Sequence, residues 1–292
     1  MTDSPPALEY EEKREYSLLE EVLRAKRLDL PSILALVASS LAIALAMYHI
    51  FVAGFGTPES LSFRSTHLSA MLLLAFLIQP MFRASLTEPV WQPGESGNAK
   101  RVLGFCIDLA MIAMVLAVQV YILSDVEELQ AREGSPDPTD VVYGWILIGL
   151  VIEATRRVVG WAMVIITGFF IFQTLKADWF IGMFYGPPVS VDRFIDSQFI
   201  QTIGIFGIPL LVAATYIVLF IVFGAILIRS GAGRFFIDLA VSLTGHRLGG
   251  PAKASVVASA FLGTVSGSAT ANVVTTGSFT IPMMKNLGYR PR

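Results

Sequence analysis

The chain has 292 residues, 54% of them hydrophobic and 15% charged, whereas an ordinary soluble domain carries about 25% charge. A mean hydropathy of +0.65, concentrated in long uncharged runs, excludes a single soluble core, and a net charge of -2 gives no basis for nucleic-acid binding. The one cysteine, Cys106, cannot form an internal disulfide and reads as a buried, inert thiol in an apolar stretch.

Residues 1–30 are polar and mixed in charge, from Glu9, Glu11 and Glu12 to Arg24, Lys26 and Arg27. The apolar run after Pro31 is too long for a signal core and lacks a small-residue cleavage site, so the start reads as a cytoplasmic tail before a first anchor. A helix needs roughly 20 apolar residues to cross a hydrocarbon core about 30 Å thick. Residues 32–53 meet that length, and further spans follow at 66–82 and 102–123, the latter with Asp108 near its start. After the acidic loop SDVEELQAREGSPDPTD, a short apolar run covers 141–152, a fifth covers 158–175 and a sixth 208–228.

Cytoplasmic loops are enriched in Lys and Arg. Arg24, Lys26 and Arg27 precede the first span; Arg83, Lys100 and Arg101 follow the second; Arg156 and Arg157 follow the fourth; Arg229 and Arg234 follow the sixth. The loop after the third span sets Arg132 alone against Asp125, Glu127, Glu128, Glu133, Asp137 and Asp140. Basic and non-basic loops therefore alternate for six crossings with the N-terminus inside.

Glu153, Arg156 and Arg157 interrupt the apolar stretch 141–175. A turn at the membrane surface between two short spans accounts for them better than charge at mid-membrane, since 35 helical residues would reach about 52 Å. Asp108 reads as paired or as reaching toward the surface. His49, His67 and His246 are far apart in sequence and lack metal-ligand spacing. Trp91, Trp145, Trp161 and Trp179 lie near span ends, as interfacial aromatics do. No nucleophile has an evident partner, so neither a hydrolase nor a redox constellation is present and no cofactor is expected.

Two later segments are not simple spans. Residues 233–247 place Phe235, Phe236, Leu239, Ala240 and Leu243 on one helical face with Asp238 and Ser242 opposite, the pattern of a helix lying along the membrane surface. Residues 254–284 are uncharged, yet basic residues flank both ends: Arg247 and Lys253 before, Lys285, Arg290 and Arg292 after. A single span would leave positive charge on both sides, whereas a re-entrant hairpin over 251–284 keeps all of it inside. Its middle, GTVSGSATAN (263–272), is rich in glycine and hydroxyls, and irregular backbone at membrane depth is tolerated only where protein buries it or it lines a water-filled cavity. The other reading is a continuous helix whose small residues pack on a neighbour. Ser266, Ser268, Thr270, Asn272, Thr275 and Thr276 offer side-chain oxygens around Gly267, as Na+ or carboxylate binding at a broken helix would need.

GIFGIPLLVAATYIVLFIVFGAILIRSGAGRFFIDLA and GGPAKASVVASAFLGTVSGSATANVVTTGSFTIPMMKNLGYRP, within 204–292, resemble the start of the large, DctM-like membrane subunit of TRAP transporters. They are most similar to fused 4TM/12TM permeases that work with TAXI-type periplasmic binding proteins; STHLSAMLLLAFLIQP and EATRRVVGW also resemble the N-terminal, small-subunit-like part of those proteins. The residue pattern gives an all-α integral membrane protein of about six transmembrane helices, a surface amphipathic helix and a re-entrant helical hairpin, and the resemblance implies the bacterial inner membrane. The resemblance also implies secondary transport of organic acids on a cation gradient, usually Na+, with a periplasmic protein delivering the substrate and an elevator-like movement carrying it. The expected arrangement is a small-subunit-like scaffold over 31–155 and an incomplete transport domain over 156–292, whose C-terminal remainder is missing. In the family Ser266, Gly267, Ser268 and Ala269 would lie at the first hairpin tip near cation and substrate, with Na+ expected near Ser266, Gly267 and Ser268; Asn272, Thr275 and Thr276 join them as candidate ion- and substrate-binding residues on the residue pattern. Many large subunits read SGSAVAD there; here Thr270 replaces Val and Asn272 replaces Asp, keeping an oxygen while losing the charge. The alternative is a membrane scaffold or assembly subunit with no transport of its own, or an inactive fragment of the permease, and a membrane enzyme ranks third.

Overall fold

The computed structural model describes residues 30–82, 90, 98–246, 248–265, 269–286 and 288–289, without the side chains of 228, 232, 265, 269–271, 274, 275, 278, 279 and 286. The polar tail over 1–29, Arg83, Trp91, Arg247 and the hairpin tip Ser266, Gly267 and Ser268 lie outside the described residues. The described residues form helices and no strand: an all-α membrane protein. By contacts the chain divides into two units, Met1–Leu211 and Val212–Arg292.

The first unit holds α1 (Leu30–Phe55), α2 (Ser60–Ile78) and α3 (Asn98–Ser124). All three are long and apolar enough to span a membrane. Then come the short α4 (Val126–Ala131), α5 (Pro138–Val158), α6 (Trp161–Leu175) and α7 (Val191–Ile195), with a π turn over Asp196–Ile200. In its most apolar stretch α2 is 56% buried, against 17% in α1 and 22% in α3, so α2 is the inner helix. It begins earlier than hydropathy suggests because Glu59 accepts from the amides of Leu61 at 2.8 Å and Ser62 at 2.7 Å. Burial alone would raise the Glu59 carboxyl, but these amides, Ser62 Oγ and Gln130 hold it below its ordinary value.

An inner membrane helix must satisfy its polar side chains within the protein. Arg64 donates to the Phe206 carbonyl, and Ser69 donates to Gln119 Oε1 at 2.7 Å while Gln119 Nε2 donates to Thr66 at 3.1 Å. His67 Nδ1 and His49 Nε2 lie 3.0 Å apart. Their sequence separation misleads, because Gly56–Glu59 turns α1 back along α2 and brings the two rings together. Cys106 also departs from expectation: it is exposed on the outer surface of α3.

Both ends of this unit are tied by charge. At the acidic end, Arg132 donates to both Asp140 oxygens at 2.9 and 3.1 Å, and Tyr121 donates to Asp140 as well. The Asp140 carboxylate raises the Arg132 guanidinium above its ordinary value. At the basic end, Arg157 donates to Asp108 at 2.6 Å, to Glu153 at 2.7 Å and to the Gln79 carbonyl at 3.1 Å. The expected break between α5 and α6 falls at Gly160 (φ 105), just beyond these charges. Phe194, Ile195, Phe199, Ile200 and Phe206, from the segment before α8, fill the core against Leu147, Ile148 and Val118.

The helix α8 (Ile208–Leu227) is, among the described residues, the fourth that is long and apolar enough to span a membrane; it carries a π turn over Ala213–Ile217 and leads into the second unit. There α9 (Ala232–Thr244) packs Ile237 and Ala240 against Ala258 of α10 (Gly250–Val265), and Phe236 stacks on Phe261. The apolar arc of α9 is thus divided: one edge is buried on α10, while Phe235 and Leu243 stay exposed beside Asp238 and Ser242. The final helix is α11 (Ala269–Asn286).

Candidate functional site

The arms α10 and α11 are short for spans. Their 16 and 18 residues give about 24 and 27 Å at 1.5 Å per residue, below a hydrocarbon core of about 30 Å. They pack antiparallel, since Asn272 lies against Gly263 near one end and Tyr289 lies near Gly249 at the other. Lys253 and Lys285 therefore sit at the same, open end of a helical hairpin, both exposed.

Near the tip, Asn272 Nδ2 donates to the Ser259 carbonyl across the hairpin at 3.0 Å. This fixes the amide so that Oδ1 is buried and, among the described residues, has no hydrogen-bond partner. A buried acceptor left empty is costly, about 1–3 kcal/mol, and such groups call for a ligand, ion or water. A bulkier residue at 263 would crowd this amide: a Cβ there would stand 3.3 Å from Asn272 Nδ2.

Further along the same groove, Ser255, Val256, Ser259, Thr276 and Thr280 line a cavity of about 370 Å³. Three of its hydroxyls already spend their protons. Ser255 donates to the Ala252 carbonyl at 2.8 Å, Thr276 to Asn272 at 2.7 Å and Thr280 to Thr276 at 2.7 Å. A hydroxyl committed in this way offers only lone pairs to a guest. The lining therefore suits a hard cation or a hydrogen-bond donor better than a bare carboxylate.

Of the residues singled out from sequence, Asn272 and Thr276 are placed in this hairpin, and Thr276 is buried. Ala269 opens α11, while the side chains of Ala269, Thr270 and Thr275, like all of Ser266, Gly267 and Ser268, lie outside the described residues. Sequence reading missed Ser255, Ser259 and Thr280. The signal was there: Ser255 and Ser259, and Thr276 and Thr280, are four apart, which stacks each pair on one helix face. Among the described residues no group of three or more His, Cys, Asp or Glu gathers into a metal site.

The family model for the tripartite ATP-independent periplasmic transporter, DctM component, matches residues 146–292. A putative TRAP transporter large permease protein of Haemophilus influenzae is 34% identical over 70 residues, 24% of this chain and 16% of that protein. The C4-dicarboxylate TRAP transporter large permease protein DctM of Rhodobacter capsulatus is 40% identical over 70 residues, again 24% of this chain and 16% of the relative. No solved structure matches the chain.

Proposed function

The chain belongs to the DctM component family of tripartite ATP-independent periplasmic transporters, and on that premise we propose that it acts as membrane permease of a secondary transporter importing organic acids on a cation gradient, with Na+ as the coupling ion. The observation that carries this reading is the helical hairpin inside the family-matched half, with its Asn272 Oδ1, unpartnered among the described residues, and its lining of acceptor hydroxyls. Paired half-length helices with free oxygens are a device by which transporters hold coupling cations near mid-membrane. The C4-dicarboxylate in one relative's name supports a carboxylate substrate here.

The remaining parts of the proposal follow from it. A periplasmic binding protein of the TAXI type delivers the substrate. Ser266, Gly267, Ser268, Ala269, Asn272, Thr275 and Thr276 form the ion and substrate site. Residues 31–155 serve as scaffold and 156–292 as the beginning of the transport domain. The protein sits in the bacterial inner membrane with its N-terminus in the cytoplasm, as the basic residues at the ends of alternate spans suggest. A non-transporting scaffold is the second reading, favoured by the ion pairs Arg132–Asp140 and Arg157–Asp108 that the first unit closes within itself.

Uptake separates the two. The permease containing this chain, reconstituted in vesicles with its binding protein, is expected to accumulate labelled organic acid only under an inward Na+ gradient. Equal uptake with and without the gradient contradicts Na+ coupling, and no uptake under either condition favours the scaffold.

A further inference from the structure

At the basic end of the first unit, a polar cavity has a construction that the proposed transport function does not use. It measures about 480 Å³ and is lined by Ile78, Gln79, Pro80, Met81, Phe82, Arg156 and Arg157. Its floor is built. The chain leaves α2 at Ile78 and turns through Pro80 into Phe82, which takes a left-handed conformation at φ 59. The Met81 amide donates to Asp108 Oδ2 at 3.0 Å, and the Gln79 carbonyl accepts from Arg157 at 3.1 Å. Gly104 admits the turn, because a Cβ there would stand 2.4 Å from the Met81 carbonyl oxygen.

The two arginines play different parts. The Arg157 side chain is 5% exposed and fully engaged with Asp108, Glu153, Gln79 and the face of Phe76. The Arg156 side chain is 27% exposed. It uses Nε and Nη2 on Glu153, both at 2.7 Å, and lies 5.6 Å over the Trp161 ring. Among the described residues nothing accepts from its Nη1, so one edge of the guanidinium remains open. On α3 and α5 at this end, the cations Lys100, Arg101, Arg156 and Arg157 outnumber the anions Asp108 and Glu153 by two.

We infer that this cavity holds the phosphate of an anionic phospholipid headgroup, bound by Arg156 beside Trp161. A free anion would find the same guanidinium, but the walls suit a lipid. Ile78, Met81 and Phe82 are apolar, they stand at the end of a helix of membrane-spanning length, and Trp161 is exposed as an interfacial indole would be. Basic pockets between membrane helices collect anionic headgroups in this way, and a guanidinium meets a phosphate oxygen in a charge-assisted bond.

The test uses the protein purified in detergent micelles, titrated with phosphatidylglycerol, phosphatidylcholine or inorganic phosphate while its unfolding temperature is followed. Phosphatidylglycerol is expected to stabilise the wild type at concentrations about tenfold lower than phosphatidylcholine, Arg156→Gln to abolish that preference and Arg156→Lys to keep part of it. Glu153 stays paired with Arg157 in both variants, which protects folding. Native mass spectrometry of the wild type is the second measurement, expected to retain phosphatidylglycerol in preference to phosphatidylcholine. Equal response to the two lipids, an unchanged preference in Arg156→Gln, or a full effect from inorganic phosphate alone would each overturn the assignment.

Discussion

Arg157→Ala is expected to destabilise the first unit by about 3–5 kcal/mol, the usual loss when one partner of a buried ion pair is removed. The guanidinium joins three elements: α3 through Asp108, α5 through Glu153 and the turn after α2 through the Gln79 carbonyl. Its removal leaves the Asp108 carboxylate, 5% exposed, with only the Met81 amide as donor among the described residues. An uncompensated anion on a membrane helix has no water to turn to. Denaturant-induced unfolding in detergent measures the loss. Pairing the change with Asp108→Asn is expected to restore part of the stability, because the stranded charge goes as well. A midpoint equal to wild type would show that the cluster carries no net stability.

Asn272→Ala is expected to lower Na+-driven uptake about tenfold, equivalent to 1.4 kcal/mol, with the protein still inserted and folded. The change removes a 3.0 Å bond between the two arms and the buried oxygen that has no partner among the described residues. Asn272→Asp separates these two parts. A carboxylate keeps the oxygen but cannot donate to the Ser259 carbonyl, and two acceptors then face each other unless a cation sits between them. Uptake by Asn272→Asp is therefore expected to depend more steeply on Na+ concentration than that of the parent. Parental uptake by Asn272→Ala would remove Asn272 from the site.

The long spans were legible because a membrane helix advertises itself by length and by charge at its flanks; α1, α3 and α8 fall close to where the uncharged runs lie. Others were harder for identifiable reasons. The first turns of α2, from Ser60 to Thr66, are polar, so hydropathy starts the span late, yet Glu59 caps them and α1, α3 and α5 bury them. The stretch from 176 to 207 has no period to read: its short 3-10, α and π turns are held by Phe194, Ile195, Phe199 and Phe206 entering the core. Tertiary proximity was invisible as well. His49 and His67 seemed separate until α1 folded back on α2, and Arg157 finds Asp108 from 49 positions away. In the hairpin the glycine- and hydroxyl-rich run falls where α10 ends and α11 begins, but which hydroxyls share a groove depends on the register between the arms, and that follows from Asn272 meeting Ser259 and Gly263.

The proposed solute site depends on α10 and α11 turning back within the lipid phase. Single cysteines at Lys253 and Lys285, both exposed at the open end of the hairpin, give the most direct measurement when challenged in intact cells with a membrane-impermeant thiol reagent. A re-entrant hairpin predicts that both stay shielded until the membrane is opened. Labelling of the cysteine at 285 from outside, with the one at 253 still protected, would mean that the second arm crosses to the far surface, and the cavity near Asn272 could not then serve as the tip of a re-entrant loop.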